Sequence, residues 1–475
     1  MANMKHDCDI GLIGLGTMGR NLAQNIADHG FAVAVYNRTP EKTRQFMAGE
    51  AVGGMIQAGY DLPAFIGLLK KPRVILLLVA AGPPVDTMIA ELRPHLEPGD
   101  LIIDAGNSFF GDTDRRGHEL ADVGLLFLGL GVSGGEAGAR FGPSLMPGGP
   151  PAAYERVRPI LEAVAAKVRG EPCVAHLGPG AAGHYVKMVH NGIEYGLMQL
   201  IAETYDLLKH GLGLDNGALH QVYARWNHEE PASYLLEITA HIFQQPDDRT
   251  GGRLIDAIKD VAGAKGTGTW TAKEAMDLGV PAPTIAAAVS LRALSGLKSE
   301  RQAANHALNI PAARLPVSAA EFFPQLKHAL LAGMIITFAQ GLALLRAASR
   351  RYGYELQLDQ VAKIWRGGCI IRAALLEDIR AAYAGDPELA NLLLADNLRQ
   401  TLRATHSDLR EVVADAALTG IPVPALAASL NYFDAYRRAR LPANLIQAQR
   451  DYFGAHTYER LDAAGSFHTD WQGPE

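Results

Sequence analysis

Residues 9–19 read Asp9-Ile10-Gly11-Leu12-Ile13-Gly14-Leu15-Gly16-Thr17-Met18-Gly19. The apolar residues before Gly14 predict a β-strand, and the pattern after Gly19 predicts a helix to His29, followed by a second strand at 32–36. In such a unit the first glycine permits a tight turn, the second lets the backbone approach a pyrophosphate, and the third lets the helix pack closely on the strand. The stretch therefore predicts a Rossmann-like dinucleotide-binding domain, which is an α/β fold.

The second predicted strand ends at Asn37-Arg38-Thr39. An NAD site usually places a carboxylate about 20 residues beyond the glycines, where it binds the ribose hydroxyl groups. This chain has no carboxylate there, and the guanidinium of Arg38 can pair with a 2'-phosphate instead. The sequence therefore predicts NADP rather than NAD.

Two further strands are predicted at 74–79 and 101–104, and their carboxyl ends should meet at the same crevice. The crevice is expected to bind the cofactor through the glycine loop and the residues at these strand ends. These residues are Gly14, Leu15, Gly16, Thr17, Met18, Gly19, Asn37, Arg38, Thr39, Val79, Ala80, Ala81 and Asn107.

Another glycine-rich segment, 131–149, follows the apolar run 125–130. Its glycines, among them Gly134 and Gly135, would expose backbone amides to a ligand, and Ser133 adds a hydroxyl donor. A plain surface loop could have the same composition, but the neighbouring nucleotide-binding pattern favours a binding loop. A helix at 154–167 and a strand at 173–177 are expected to follow.

Residues 178–195 form a glycine-rich turn that runs into a predicted helix. Lys187, His190, Asn191 and Glu194 have the spacing i, i+3, i+4 and i+7, so they share one face of that helix. A solvated charged face would give the same pattern. Because the stripe lies in apolar sequence after a dinucleotide-binding pattern, it indicates instead an active site with a base and an acid.

The sequence predicts a Rossmann-like domain over 1–180, an all-helical domain over 181–440 and a carboxyl-terminal tail over 441–475. The helical domain contains an internal repeat: His220-Gln-Val-Tyr-Ala-Arg-Trp226 returns as Asp359-Gln-Val-Ala-Lys-Ile-Trp365, and Gly279-Val-Pro-Ala-Pro283 returns as Gly420-Ile-Pro-Val-Pro424. A shared offset of about 140 residues indicates a duplicated helical unit. Only the first copy carries the Lys187 stripe.

The composition excludes several classes of function. A net charge of -6 without a basic tract argues against nucleic-acid binding. The three cysteines are far apart in sequence, which suits a reducing compartment and predicts no metal site. The amino terminus has no apolar signal segment, and the apolar run 329–345 is predicted to be a buried helix rather than a membrane span. A cytoplasmic protein is therefore expected.

Three later segments could complete a site or an interface. The turn around Lys265 and Thr267 could contact a phosphate, and Arg292, in apolar sequence, is expected to be a buried guanidinium with an anionic partner. The segment 365–372 is expected to pack between the duplicated halves. The aromatic tail is expected to be anchored, and it could dock on a second subunit.

The whole chain resembles the NADP-dependent, decarboxylating 6-phosphogluconate dehydrogenase family. The motifs that carry the resemblance are Gly14 to Gly19, Asn37-Arg38-Thr39, Ser133-Gly-Gly-Glu-Ala-Gly-Ala-Arg140, Lys187-Met-Val-His-Asn-Gly-Ile-Glu-Tyr195, Lys265-Gly-Thr-Gly, Trp365-Arg-Gly-Gly-Cys-Ile-Ile-Arg372 and Arg450-Asp-Tyr-Phe-Gly-Ala-His456. One departure is Gly16, where many members of the family have alanine.

The resemblance implies oxidative decarboxylation of 6-phosphogluconate to ribulose 5-phosphate and carbon dioxide, with reduction of NADP, in the pentose phosphate pathway. It implies that Lys187 is the general base and Glu194 the general acid. It also implies that the substrate is bound by Asn107, Ser133, Gly134, Gly135, His190, Asn191, Tyr195, Lys265, Thr267, Arg292, Arg450 and His456. Arg450 and His456 are expected to come from the tail of a partner subunit, so the resemblance implies a homodimer.

Two other functions fit part of the pattern. A smaller dehydrogenase of 3-hydroxy acids would share the first domain and the Lys187 helix but lack the duplicated helices and the tail. A catalytically silent nucleotide-binding protein would not need Lys187 and Glu194 together with a set of anion-binding residues.

Overall fold

The structure is a computed structural model, and it describes residues 7–51, 54–311, 313–471 and 473. Two compact units are present, Met1–Ser429 and Leu430–Glu475. Residues 1–6, on which part of the prediction about a signal segment rests, lie outside the described residues.

The first part of the chain forms a sheet in the order β3-β2-β1-β4-β5-β6-β7. Its strands are β1 Ile10–Ile13, β2 Val33–Tyr36, β3 Ile56–Ala58, β4 Val74–Leu77, β5 Leu101–Asp104, β6 Leu126–Ser133 and β7 Ser144–Gly148. All neighbouring pairs are parallel except β6 and β7. Leu12 is in register with Val35 on one side and Leu76 on the other. The predicted Rossmann-like α/β fold is confirmed.

Helices cover both faces of this sheet, which is why its central strands are buried and almost continuously apolar. They are α1 Thr17–Asp28, α2 Pro40–Gly49, α3 Leu62–Gly67, α4 Pro83–Leu92, α5 Phe110–Ala121, α6 Gly135–Phe141 and α7 Pro151–Val164. One apolar cluster includes Leu22 and Leu161, and another includes Phe65 and Leu120. The short 3-10 turn Arg93–His95 follows α4.

The predicted strand at 173–177 is wrong. A small hairpin, β8 Lys167–Val168 with β9 Glu171–Pro172, precedes it, and Val174 forms only an isolated bridge with Leu145. The apolar pattern at Cys173 and Val174 reflects their burial beside β7 rather than a strand of their own. The Leu145 N–H in β7 donates to the Cys173 carbonyl at 3.0 Å. Packing of this segment against the edge of the sheet therefore explains why its apolar residues resemble a strand.

The rest of the first unit is helical. Its helices are α8 Ala182–Asp206, α9 Asn216–Trp226, α10 Tyr234–Gln244, α11 Leu254–Ala257, α12 Thr267–Asp277, α13 Pro283–Gly296, α14 Lys298–Leu308, α15 Ala319–Tyr352, α16 Leu358–Trp365, α17 Leu375–Gly385, α18 Asp396–Thr419 and α19 Pro424–Tyr436, the last of which runs past Ser429. A π-helical turn, Leu207–Gly211, extends α8, and a 3-10 turn, Leu392–Leu394, precedes α18.

Helix α15 is the one helix among the described residues that is long and apolar enough to cross a membrane by length and composition. Within its most apolar window, 89% is buried inside the protein. It packs along α8, where a Cβ added to Gly196 would lie 2.6 Å from Cγ2 of Thr337. The predicted buried helix at 329–345 is therefore the centre of α15.

The element order supports the predicted duplication, because α9, α10 and α13 are repeated as α16, α17 and α19. The two long helices also cap the repeated helices in a similar way. Oε1 and Oε2 of Glu203 in α8 accept from the N–H groups of Ala425 and Leu426 at 2.8 and 2.9 Å. Oε1 of Gln340 in α15 accepts from the Thr284 N–H at 3.0 Å. A carboxylate caps one copy and an amide caps the other.

The second unit contains α20 Ala443–Gly454 and a short antiparallel hairpin, β10 Tyr458–Glu459 with β11 Ser466–Phe467. The rings of Tyr458 and Phe467 stack across the hairpin with their centroids 6.3 Å apart. The aromatic tail thus forms an ordered helix and hairpin. This unit begins at Leu430, whereas the sequence placed the start of the tail at 441.

Glu203 should make stability depend on pH. Burial raises the pKa of Glu203 from 4.5 to about 7, although the backbone hydrogen bonds oppose this shift. Because the folded state then holds the proton more tightly, the stability that this group contributes is greatest below pH 4.5 and is lost as the pH rises towards 7. Glutamine does not titrate, so Glu203→Gln lacks this loss. The difference in free energy of unfolding between Glu203→Gln and wild type should therefore shift by roughly 2 kcal/mol in favour of the variant when the pH is raised from about 5 to about 8.

Calorimetric unfolding at the two pH values would measure this difference. Gln340→Ala is the matched control, because it removes the other cap without removing a titrating group. A difference between Glu203→Gln and wild type that stays constant with pH would contradict the assignment.

Candidate active site

The glycine loop after β1 has the geometry that its sequence predicts. Gly14 has a φ of 106°, and a Cβ on it would clash with the Leu78 carbonyl. A Cβ on Gly19 would clash with the Gly14 carbonyl, so this glycine is needed for close packing of α1. A Cβ on Gly16 would meet nothing within 4 Å. The loop therefore leaves open space at Gly16, where alanine would also fit.

A cleft of about 440 Å³ opens beside this loop. Its walls include Gly14, Gly16, Asn37, Arg38, Thr39, Val79 and Ala80, as predicted. Leu15, Thr17, Met18, Gly19 and Ala81 adjoin these residues in the chain. Oδ1 of Asn37 also accepts from the Leu15 N–H at 3.0 Å, which fastens the end of β2 to the loop.

One positively charged side chain in the cleft, that of Lys42, was not predicted from the sequence. Lys42 lines the cleft together with Arg38, and both side chains are exposed. The signal was present in the sequence, because Lys42 follows Arg38 by only four residues and lies in the first turn of α2. Two neighbouring cations at this wall fit a 2'-phosphate better than one, so the residues present fit NADP.

Helix α8 lies unusually close to β6 and β7 because small residues face it. A Cβ on Gly148 would clash with the Gly183 N atom, and a Cβ on Gly183 would clash with the Met146 carbonyl. A Cβ on Gly131 would lie 2.6 Å from Cβ of Lys187. These glycines let the helix bring its polar face against the sheet.

The polar stripe of α8 is not a solvated charged face, because Lys187 and His190 are buried and Asn191 and Glu194 are partly buried. Lys187 is 6% exposed and His190 is 0% exposed. Oδ1 of Asn191 accepts from Nζ of Lys187 at 3.0 Å and from Nδ1 of His190 at 3.1 Å. Three residues of the predicted face, Lys187, His190 and Asn191, thus form one connected hydrogen-bonded group.

Neighbouring elements extend this group at both ends. Nδ2 of Asn191 donates to Oγ1 of Thr267 at 3.2 Å, and Oγ of Ser133 lies 3.4 Å from Nε2 of His190. Oε2 of Glu194 lies 3.9 Å from Nδ1 of His190. The stripe therefore joins the end of β6 to the start of α12.

Burial shifts the ionisation of the stripe towards neutral forms. It lowers the pKa of Lys187, against the opposing effect of Glu194 and Cys369. Burial, with the nearby charge of Lys187, holds the pKa of His190 well below its usual value. Burial also raises the pKa of Glu194, although Lys187 and Arg292 oppose the shift. The site therefore combines a lysine biased towards a free amine with a glutamic acid biased towards its protonated form.

The loop after β6 is shaped by two glycines and by the segment 365–372. Gly134 and Gly135 have φ values of 110° and 62°, and a Cβ on Gly134 would lie 2.5 Å from the Gly368 carbonyl oxygen. The Trp365 ring meets the His190 ring edge-on, with the centroids 5.6 Å apart.

The segment 365–372 therefore has two roles, of which the sequence predicted one. The Tyr234 N–H donates to the Arg372 carbonyl at 3.0 Å, which connects the duplicated halves as expected. The contacts of Trp365 and Gly368 with the site were missed, because nothing in the local sequence indicates a partner so distant in the chain.

Arg292 differs from its prediction. It is only half-buried. Its guanidinium lies 3.4 Å from the Tyr195 ring centroid, Nη1 donates to the Gly263 carbonyl at 3.3 Å, and Nη2 donates to Sδ of Met198 at 3.4 Å. The predicted burial of the guanidinium is wrong, because the two residues that follow Arg292 in α13 are exposed, and the direct contacts of the guanidinium are with uncharged groups. A cation–π contact with Tyr195 stabilises the guanidinium instead.

The Lys265 turn meets the same tyrosine. Gly266 has a φ of 95° and precedes α12, and a Cβ on Gly268 would lie 2.5 Å from the Tyr195 ring. Thr267 is buried, whereas Lys265 is exposed. The structure thus brings Tyr195, Thr267 and Arg292 together next to the stripe.

The remaining predicted residues lie elsewhere. Asn107 follows β5 and is exposed at the end of the sheet where the cofactor cleft opens. Arg450 and His456 belong to the second unit and are both exposed.

A dinucleotide cleft, together with a buried lysine and a partly buried glutamic acid on one helix face, defines a dinucleotide-dependent oxidoreductase with a helical second domain. Residues 9–178 match the family profile described as the NAD binding domain of 6-phosphogluconate dehydrogenase, and residues 183–471 match that of its C-terminal domain. The chain belongs to the 6-phosphogluconate dehydrogenase family.

Individual relatives agree over nearly the whole chain. It is 57% identical to 6-phosphogluconate dehydrogenase, decarboxylating, of Synechococcus elongatus over 97% of this chain and 98% of that protein. It is 52% identical to the NADP(+)-dependent, decarboxylating enzyme of Bacillus subtilis, with the same coverage of both chains. The solved structure of Plasmodium falciparum 6-phosphogluconate dehydrogenase is 45% identical and superposes with a TM-score of 0.94, covering 98% of this chain and 100% of that one.

The packing of Gly131 against Lys187 gives a direct test of the site geometry. In Gly131→Ala the added methyl group would overlap Cβ of Lys187, so the lysine must move. We expect kcat to fall about tenfold to a hundredfold, because small displacements of a reacting group are costly. The affinity for NADP should be unchanged.

Gly67→Ala is the matched control, because a Cβ there meets nothing within 4 Å. Steady-state kinetics and NADP binding on both variants would make the comparison. Wild-type kcat in Gly131→Ala would contradict the packing account.

Proposed function

We propose that this chain catalyses the oxidative decarboxylation of 6-phosphogluconate to ribulose 5-phosphate and carbon dioxide with NADP as the cofactor. The observation that carries the proposal is that buried Lys187 and partly buried Glu194 share one helix face, with the pKa of the amine lowered and that of the carboxyl raised. The family membership and the names of the relatives support the substrate and the cofactor.

Arg38 and Lys42 would hold the 2'-phosphate of the cofactor, and the loop of Gly14, Gly16 and Gly19 would face its pyrophosphate. When bound, NADP accepts the hydride from C3 of the substrate.

Lys187 would act first as the base. As a free amine it accepts the proton of the C3 hydroxyl while the hydride leaves C3, which gives a 3-keto acid and a protonated lysine. Burial favours the free amine, and Asn191 orients it through the 3.0 Å hydrogen bond to Nζ. Oδ1 of Asn191 also binds His190, so the three side chains hold one arrangement.

The protonated lysine would then donate to the 3-keto oxygen. The C1–C2 bond breaks, carbon dioxide leaves, and the electron pair forms an enediol between C2 and C3 while the lysine returns its proton to the oxygen. Glu194 in its protonated form would deliver a proton to the carbon that lost carbon dioxide, while the hydroxyl proton on C3 returns to the amine of Lys187, and the product is the ketone of ribulose 5-phosphate. The raised pKa of Glu194 keeps that proton available.

The substrate would lie along the same face. Ser133, Gly134, Gly135, His190, Asn191 and Asn107 would bind the carboxylate and hydroxyl end. Tyr195, Lys265, Thr267 and Arg292 would bind the phosphate end. Within the described part of the chain neither Lys265 nor Arg292 forms an ion pair, so both charges are available to an anion.

We further propose a cytoplasmic homodimer in which the tail of each subunit completes the site of the other through Arg450 and His456. Helix α20 supports this arrangement because it exposes Leu445, Ile446 and Phe453, an apolar surface that a second copy could cover. The division into domains at 180 and 440 remains part of the proposal, and the change from sheet to helices at Ala182 supports its first boundary.

Lys187→Met tests the role of the lysine. It removes the base but preserves much of the side-chain volume, so turnover should fall by about two to four orders of magnitude while NADP binding is retained. Formation of NADPH at 340 nm together with release of carbon dioxide from 6-phosphogluconate would be measured with NADP and with NAD.

The control is Lys273→Met, which changes an exposed lysine in α12. Near-normal turnover by Lys187→Met would contradict the assignment. NADPH formation without carbon dioxide would instead favour a simple hydroxy-acid dehydrogenase, and a folded wild-type protein without any turnover would favour a silent nucleotide-binding protein.

Tail exchange can be tested by complementation. At a 6-phosphogluconate concentration near the wild-type KM, Lys187→Met and Arg450→Ala should each be nearly inactive alone, but a co-expressed mixture should contain heterodimers with one intact site each. Random pairing then predicts about one quarter of wild-type activity. A mixture with no more activity than the separate variants would show that each tail serves its own chain.

A further inference from the structure

Asp451 is a buried carboxylate in the second unit, with an exposed fraction of 0%. Oδ1 accepts from the Thr457 N–H and from Nδ1 of His468, both at 2.9 Å. Oδ2 accepts from the Thr469 N–H at 3.1 Å and from Nε1 of Trp471 at 2.8 Å. All the acceptor positions of the carboxylate are therefore used, and its partners span the loop and hairpin that follow α20.

The carboxylate is well suited to remain charged. Burial acts to raise the pKa of Asp451, but hydrogen bonds from His468, Thr469, Trp471 and Thr457 outweigh it and bring the pKa to about 2. Hydrogen bonds to an ionised acceptor are stronger than those between neutral groups. At neutral pH Asp451 is therefore ionised, and its carboxylate accepts all four hydrogen bonds.

The loop that Asp451 holds is strained. Ala455 and Thr457 have φ values of 48° and 60°, in the left-handed region that non-glycine residues seldom adopt. His456 lies between them. The Thr457 N–H donates to the carboxylate and the Ala455 N–H donates to the Asp451 carbonyl at 2.9 Å. Asp451 therefore contacts the backbone on both sides of His456.

The side chains of His456 and Arg450 are fixed by the same scaffold. The His456 ring meets the Phe453 ring edge-on with the centroids 5.9 Å apart, and a Cβ on Gly454 would lie 2.7 Å from its Nε2. Oε1 of Gln447 accepts from Nη1 of Arg450 at 3.1 Å, and Nε2 of Gln447 donates to the Thr457 carbonyl at 2.6 Å. Arg450 and the His456 loop are thus linked to each other.

We propose that Asp451 is a positioning residue that sets the spacing of Arg450 and His456 for a phosphate group. Its carboxylate touches no substrate and acts by holding the strained loop at 455–457. The inference rests on the proposed function, in which Arg450 and His456 bind the phosphate end of 6-phosphogluconate. It adds that the phosphate-binding geometry is preformed within each tail.

Asp451→Asn is the decisive variant, because it preserves size but replaces one oxygen by an amide group that faces hydrogen-bond donors. We expect the KM for 6-phosphogluconate to rise about tenfold or more, with kcat changed less than about threefold and the KM for NADP unchanged. Oxidation of unphosphorylated gluconate at high concentration should be affected little, since gluconate has no phosphate to position. A merely structural role would affect both substrates alike.

Trp471→Phe provides a milder second variant, because it keeps an aromatic ring at this position but removes the five-membered ring of the indole with its N–H donor to Oδ2. It should raise the KM for 6-phosphogluconate in the same selective way but by a smaller factor. Trp471→Phe therefore keeps the proposal testable if Asp451→Asn fails to fold, which thermal unfolding and sedimentation of the full chain would reveal.

A triple variant, compared with the corresponding double variant, separates positioning from direct binding. If Asp451 acts through Arg450 and His456, adding Asp451→Asn to Arg450→Ala with His456→Ala should raise the KM no further. A further, fully additive increase would overturn the proposal, as would an unchanged KM in Asp451→Asn. The proposed function itself fails on a different result, which is a wild-type protein that does not oxidise 6-phosphogluconate or an Arg450→Ala variant with a normal KM.

Discussion

The close approach of α8 to β6 and β7 is the contact on which the site depends. Gly131, Gly148 and Gly183 allow it, because a side chain at any of these positions would overlap the opposing element. The contact removes the Lys187 face from water, and burial is the main cause of the lowered pKa of Lys187 and the raised pKa of Glu194. Close backbone packing at these glycines thus determines the direction in which the pKa values of Lys187 and Glu194 are shifted.

Buried polar groups need partners, and the molecule supplies them from distant parts of the chain. Asn191 satisfies Lys187 and His190, and Thr267 satisfies Asn191 in turn. The same principle recurs away from the site, where Glu203 in α8 caps α19 and Asp451 holds the tail hairpin. In each case one polar side chain fixes the relation between two elements, which an apolar contact would leave less well specified.

Local patterns predicted the parts of the fold that local sequence determines. The glycine loop, the strands at 33–36 and 101–104 and the helix that carries Lys187 follow from periodicity and from the roles of Gly14 and Gly19. The helical spacing also placed Lys187, His190, Asn191 and Glu194 on one face. Their burial could not be predicted from that spacing, because it depends on glycines in β6 and β7.

Errors arose where a residue's environment comes from elsewhere in the chain. Cys173 and Val174 looked like a strand because they are buried beside β7, and Arg292 looked buried because its neighbours in sequence are apolar. The contacts of Trp365 and Gly368 with the site join positions far apart in the sequence. Lys42 could have been found, since it lies only four residues beyond Arg38, in the first turn of α2.

The ionisation of Lys187 is the central claim, and its most direct measurement is the ¹³Cε chemical shift of that lysine as a function of pH. Protein with ¹³C-labelled lysine would be titrated, and the resonance would be assigned by its loss in Lys187→Met. Burial predicts a midpoint clearly below the value of about 10.4 of an exposed lysine. A midpoint at or above that value would mean that the buried amine is charged at neutral pH, and it would contradict the account.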